Sequence, residues 1–302
     1  MSSQQSVLFD VPGPRARRNI VIGNVIGAIF VLGIAALVVI EFARKGQLSW
    51  DLWGPVFTAS AWENYFLPGL QNTLRAAGFA IVGAVVFGLV LGSGRLSHVR
   101  VVRWLSGTVV EFFRAVPVLL LMIFFWLLLG FNQVPEPSFL AVVIALVLYN
   151  GSVIAELVRS GVGNLPKGQG EAGLAIGLTR GQTLRSIQLP QALIAMLPAL
   201  VSQLVVVLKD TALGQIIVYN ELLRAAQIFG NGNGNNLQTL TVAAVIFIVI
   251  NFALTTVAQW LSRFLRGRTA GATSAGPGIG NPTATTTATD AVTTGAGEPT
   301  GR

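Results

Sequence analysis

Six stretches of this 302-residue chain run on almost without charge: Ile20 to Ile40, Ala76 to Gly94, Ala115 to Pro135, Pro137 to Ala155, Ile187 to Leu208, and the latter half of Ala225 to Ser262. A helix of about 20 mostly apolar residues crosses the roughly 30 Å hydrocarbon core of a bilayer. Composition agrees, since 53% of residues are hydrophobic and 11% charged, with a mean hydropathy of +0.68. That leaves too little polar surface for a soluble globule of this length. The expected fold class is all-α, a polytopic membrane protein with about six transmembrane helices. In the last run, "FGNGNGNN" (Phe229 to Asn236) precedes the apolar part.

The basic "RARR" (Arg15 to Arg18) before the first run resembles the start of a signal peptide. The length of the run and the lack of an Ala-x-Ala site near its end favour a retained helix. Basic residues near span ends stay on the cytoplasmic side, so counting Lys and Arg on alternate sides orients the chain. With the N-terminus inside, fifteen fall on that side and five (Arg44, Lys45, Arg75, Lys209, Arg224) on the other, which accounts for all 20. Both termini and the loop around Glu171 are therefore expected in the cytoplasm of a multi-pass plasma-membrane protein. The same bias explains most of the net charge of +8 without a nucleic-acid partner.

The expected organisation is a cytoplasmic N-terminal tail (1–19), a first transmembrane helix (20–42), an external segment (43–64), a transmembrane domain (65–268) and a tail (269–302). Trp50, Trp53, Trp62 and Tyr65 in the external segment suit an aromatic belt at the outer interface. The last tail is Gly-, Thr-, Ala-, Ser- and Pro-rich, with too few large apolar groups to offset ordering entropy, and is expected to be disordered.

"EAGLAIGLTRGQTLRSIQLP", Glu171 to Pro190, is an amphipathic interruption between apolar runs. Ala172, Ala175 and Ile176 fall at helical spacing, Gly177 interrupts, and Thr179 with Gln182 three residues on reads as a capping box for a second short helix. Pro190 is tolerated near the first turn of the next span, where its missing N–H is no loss. Physics alone leaves open whether this pair of helices rests on the membrane or meets a partner.

The same stretch resembles the EAA signature of ATP-binding-cassette (ABC) importer permeases. Glu171-Ala172 is followed by Gly177 six positions after the glutamate, Ile187 ten after that glycine, then Leu189-Pro190. Gly173 stands where the signature has its second alanine; its small size is expected to permit close approach to a partner, although it weakens a helix by about 1 kcal/mol relative to Ala. "GLQNTLRAA" (Gly69 to Ala77), "EFFRAVPVLLLMIFF" (Glu111 to Phe125), "YNGSVIAELVRSGVGNLPKGQGEA" (Tyr149 to Ala172) and "LPQALIAMLPALVSQLVVVLKDTALG" (Leu189 to Gly214) resemble polar amino-acid permeases in order and spacing. The added first helix and "VLFDVPGPRARR" (Val7 to Arg18) resemble the second permease subunit of glutamate uptake systems of high-GC Gram-positive bacteria. The resemblance implies the MetI-like fold and makes residues 169–190 the coupling loop that docks on a cytoplasmic ATPase dimer. It also implies an extracytoplasmic amino-acid-binding protein and a second permease subunit as partners.

Ionisable groups inside a bilayer are expensive, so each is a site candidate. Lys209 and Asp210 interrupt the apolar segment from about Ala192 to Tyr219 and read either as a mutually neutralised pair or, with Thr211, as lining of the amino-acid pathway. Glu111 with Arg114 and Glu156 with Arg159 are spaced i, i+3 and can pair on one helix face or across helices, with gate elements as the other reading. Asn150 and Asn251 are expected to bond neighbouring helices, with pathway lining as the other reading for both. Gly88 and Gly92 form a GxxxG, a sign of close packing.

With no cysteine and one histidine, His98, the sequence offers neither a thiolate metal site nor a metal cluster, and no cofactor is expected. It has no G-x-x-x-x-G-K-[ST] phosphate loop and no nucleophile beside a base, so it reads as a transport subunit without catalytic residues. A different class, an ion-coupled secondary transporter or channel, would use Lys209, Asp210, Glu111 and Glu156 as a relay but gives the EAA loop no task.

Overall fold

A computed structural model describes residues 13–270. The disordered tail expected over 269–302 lies outside the described residues except for Thr269 and Ala270, which are helical, and residues 7–12 of "VLFDVPGPRARR" lie outside them too. The described elements are helical throughout: α1 (Pro14–Arg44), short turns α2 (Trp50–Trp53) and α3 (Ala59–Ala61), α4 (Leu67–Arg95), α5 (Arg100–Ala115), α6 (Val118–Phe131), α7 (Pro137–Gly163), α8 (Lys167–Ala175), α9 (Arg180–Thr183), α10 (Leu189–Asp210), α11 (Leu222–Asn233) and α12 (Asn236–Ala270). Five helical segments are long and apolar enough to cross a membrane: Arg15–Arg44, Ala59–Arg95, Pro137–Gly163, Arg180–Ile217 and Asn236–Trp260.

The expected straight span from Ala115 to Pro135 is instead broken. α5 and α6 meet at 98° across Val116 and Pro117, and only as one bent pair do they make a sixth crossing. Pro117 supplies the reason: its ring pushes the preceding residue out of the helical region, and Val116 is extended at φ −84°, ψ 129°. The fourteen residues of α6 rise about 21 Å at 1.5 Å each, and the non-helical residues at either end supply the rest of a crossing in which α5 is turned aside.

The core is a seam of small residues. Ala76, Ala80, Ala84, Gly88 and Gly92 recur at every fourth position of α4 and all are buried. They form one stripe, because residues four apart share a helix face. Against it α7 packs its own Gly151, Ile154, Ala155 and Val158, also buried. A methyl group on Gly88 would come within 2.5 Å of Ile154 Cγ2 and 2.8 Å of the Gly151 carbonyl oxygen. Without a hydrophobic drive between helices in lipid, such close backbone approach supplies the packing energy. The GxxxG at Gly88 and Gly92 therefore belongs to the α4–α7 contact.

One end of the bundle is tied by side chains that bond backbone. Thr73 Oγ1 accepts from the Leu222 N–H at 3.0 Å, Tyr219 donates its hydroxyl to the Asn72 carbonyl at 2.8 Å, and Ser138 donates to the Ile217 carbonyl at 2.9 Å. Arg75 forks onto Glu136 and lies 4.1 Å from the centre of the Phe139 ring. Glu221 is fully buried and caps α11, accepting from the Leu223 and Arg224 N–H groups. Burial pushes its carboxyl up to about 7, against the pull of those two donors.

The aromatic residues before α4 differ in their surroundings. Trp50 stands exposed and stacks on Phe57, whereas Trp62 and Tyr65 pack onto a second core of Val56, Phe66, Leu222 and Phe229. α1 starts at Pro14, inside the segment expected to be tail, and buries none of its described side chains in this chain.

Candidate functional site

The loop from Lys167 to Pro190 is a built turn. Gly177 adopts φ +87°, a conformation that favours glycine. Its N–H bonds the Leu174 carbonyl at 3.0 Å, and the Leu178 N–H bonds the Gly173 carbonyl at 3.1 Å. These are the two hydrogen bonds of a Schellman motif, which stops α8 at Ile176. The capping box is present: Thr179 N–H donates to Gln182 Oε1 at 2.8 Å, and Gln182 N–H donates to Thr179 Oγ1 at 3.3 Å. One helix is thus closed and the next opened within four residues.

The second helix is not a separate piece. α9 continues through a widened, π-type turn at Leu184–Gln188 into α10, so Arg180 to Ile217 runs as one helical segment. Pro190 lies in the first turn of α10. A proline there cannot donate to the carbonyl four residues back, and a widened turn upstream accommodates its ring.

Of the EAA positions, Glu171, Ala172, Gly177 and Pro190 are exposed, Ile187 and Leu189 are half-buried and Gly173 is buried. A methyl group on Gly173 would come within 2.6 Å of Thr183 Cγ2 and 3.1 Å of Ile187 Cδ1. Its smallness therefore serves close contact between α8 and α9 of this chain, a correction to the reading that it makes room for a partner. Gln191 donates to Gln169 Oε1 at 3.0 Å and ties α8 to α10. Leu174 and Ile176 remain 46% and 75% exposed. His98, unassigned by motif, lines a cavity of about 490 Å³ under α8 with Lys167, Glu171, Arg180 and Thr183.

At the same end an ion network joins three helices. Glu111 pairs with Arg114 and Glu156 with Arg159, as their spacing predicts. Arg95, at the end of α4, joins the two pairs: Nη2 lies 3.1 Å from Glu111 and Nη1 2.9 Å from Glu156. The Nη1 contact is Coulombic, because its N–H is not aligned for a hydrogen bond. Sequence reasoning missed Arg95, since its partners lie 16 and 61 residues away.

The four pathway candidates do not converge. Lys209 is exposed and lines a cavity of about 400 Å³ with Ala212, Phe247, Ile248 and Asn251. Asp210 is half-buried, and no ion pair joins it to Lys209 among the described residues. Neighbours on a helix point about 100° apart, so the two make no direct ion pair. Thr211 is buried and donates to the Leu208 carbonyl of its own helix. Asn150 is buried and accepts from Gln203 Nε2 of α10 at 2.6 Å, the interhelical bond expected of it. Asn251 instead donates to the Phe247 carbonyl of its own helix, and its Oδ1 is buried without a partner beside the Lys209 cavity.

A helical bundle with a doubly capped, exposed EAA loop is what the motifs lead one to expect of an importer's membrane subunit. The chain belongs to the family of binding-protein-dependent transport system inner membrane components, whose model matches residues 84–267. It is 48% identical over 225 residues to the glutamate transport system permease protein GluD of Corynebacterium glutamicum, covering 74% of this chain and 82% of that protein. It is 32% identical over 202 residues to the glutamine transport system permease protein GlnP of Escherichia coli K12, covering 66% and 92%. A crystal structure of an amino acid ABC transporter with histidines is similar at a TM-score of 0.61 and 26% identity, covering 66% of this chain and 92% of that one. The MetI-like importer fold expected from the motifs is the fold observed.

Proposed function

We propose that this chain is a membrane-spanning subunit of an ABC importer that carries glutamate into the cell. The carrying observation is the exposure of Leu174 and Ile176 on a turn held rigid by a Schellman motif and a capping box. Apolar side chains on a fixed turn are what a partner groove takes up. The partner is a cytoplasmic ATPase dimer, which hydrolyses the ATP. A binding protein delivers the amino acid outside, and a different permease subunit completes the pathway. Closure of the ATPase then shifts the membrane halves between outward- and inward-facing states. Glutamate is favoured by the 48% identity to the corynebacterial glutamate permease.

Lys209 is the proposed contact for a substrate carboxylate, with Asn251 Oδ1 beside it as an acceptor for an ammonium. The test is ATP-driven glutamate uptake by vesicles holding the complete transporter. Uptake is expected for the wild type and lost without ATPase. Lys209→Met together with Asp210→Asn, which removes both charges at once, is expected to lower uptake about tenfold, equivalent to 1.4 kcal/mol, with ATPase association kept. Near-normal uptake by that double variant would return both residues to a structural role.

Orientation has its own test. Gly168 and Gly232 have free space at the Cβ position, and the chain has no native cysteine. Gly168→Cys is expected to resist an impermeant thiol reagent on intact cells, and Gly232→Cys to react. Labelling of position 168 from outside would remove both the proposed sidedness and the ATPase contact.

A further inference from the structure

α5 presents three different faces. Ser106 and Val110 are buried against the bundle, Ser106 opposite Gly94 of α4. Arg100, Arg103, Glu111 and Arg114 make a charged face. Val101, Trp104, Leu105, Thr108 and Phe112 follow one another at helical spacing on a third face, which is exposed among the described residues. Val101 and Trp104 are 71% exposed, Leu105 56% and Phe112 58%. An uncovered apolar stripe beside a row of cations fits the boundary between hydrocarbon and water.

The placement of the helix agrees. α6 packs along the spanning α7, and α5 crosses α6 at 98°, so α5 lies across the end of the bundle. Arg95 ends α4, itself a span, and holds Glu111 of α5 at that level. Glu111 is already matched by Arg95 and Arg114. Arg103 gives one N–H to the Ser97 carbonyl. Among the described residues neither Arg100 nor Arg103 has a carboxylate within ion-pair distance. Two cations thus remain unmatched next to an exposed tryptophan.

We propose that α5 is an interfacial helix that lies in the bilayer surface at the α8–α9 end and binds the phosphates of anionic lipids through Arg100 and Arg103. The lipid chains cover its Val101–Phe112 stripe. This holds whatever the transporter carries.

The test uses the full chain in nanodiscs of phosphatidylcholine with a minority of phosphatidylglycerol. A nitroxide on Thr108→Cys, whose hydroxyl bonds only its own helix at the Trp104 carbonyl, is expected to collide with oxygen more than with a water-soluble nickel chelate. One on Gly181→Cys, in the exposed loop, is expected to do the reverse. A label at position 108 that behaves as in water, or is shielded from both reagents by a protein surface, overturns the proposal. Native mass spectrometry reads the headgroup contact. Arg100→Gln and Arg103→Gln are each expected to lower retained phosphatidylglycerol about fivefold and to leave phosphatidylcholine unchanged. Equal retention of both lipids by wild type and variants also overturns it.

Discussion

Glu171→Lys is expected to abolish ATP-driven uptake while leaving the protein folded in the membrane. The side chain is exposed on α8, and exposed substitutions away from special features shift stability by only about 0.5 kcal/mol. Reversal of a charge at a docking face is different in scale. It loses an attraction and sets like charges opposite each other, which at interfaces costs about 2 kcal/mol or more, roughly 30-fold in affinity. The expected pattern is a normal size-exclusion profile, weakened ATPase capture and uptake near background. Wild-type uptake and binding-protein-stimulated hydrolysis in this variant would falsify the assignment of the loop.

The second large effect is on folding. Gly88→Val places its Cβ 2.5 Å from Ile154 Cγ2 and 2.8 Å from a backbone carbonyl of α7. A rotamer change can move the isoleucine but not the carbonyl, so α4 and α7 must separate along their seam. Overpacking of a core costs about 1–3 kcal/mol, occasionally more, and the upper end applies where backbone is the obstacle. A thermal midpoint lowered by at least about 6 °C, or failure to accumulate, is expected. Gly78→Val, on the same helix with nothing within 4 Å of the new atom, is the control and should behave as wild type. Equal behaviour of the two variants would remove the seam as the source of stability.

Legibility in the sequence follows the range of the physics involved. α7 was readable because its apolar run is continuous and opens with a proline, and the capping box because both of its residues lie within one turn. The break at Pro117 was not read. Apolar residues flank it on both sides, so hydropathy runs through a bend that only the backbone restriction at Val116 reveals. α5 went unseen for the opposite reason, since four charged residues hide an apolar stripe from any average. Arg95 was visible as a residue but not as a partner, because no spacing rule connects it to Glu111 and Glu156. The distinction between Asn150, which bonds across helices, and Asn251, which bonds its own, depends on which way α7 and α12 turn, and both asparagines look alike in a list.

The helical segment from Arg180 to Ile217, 38 residues long, has a mechanical consequence. At 1.5 Å per residue it is about 57 Å from end to end, so a tilt of about 5° at the Thr179 end displaces the far end by about 5 Å. Lys209 lies on the same helical segment as the capped turn, so under the proposed docking a push on that turn would reach its cavity as in a lever. Two places in it are compliant: the widened turn at Leu184–Gln188 and Pro198, which lies inside α10 and cannot donate a backbone hydrogen bond. Its carbonyl accepts the Ser202 hydroxyl at 3.0 Å. On the proposed coupling, the part of a stroke that would arrive at Lys209 is set by the stiffness of two turns, the one at Leu184–Gln188 and the one around Pro198.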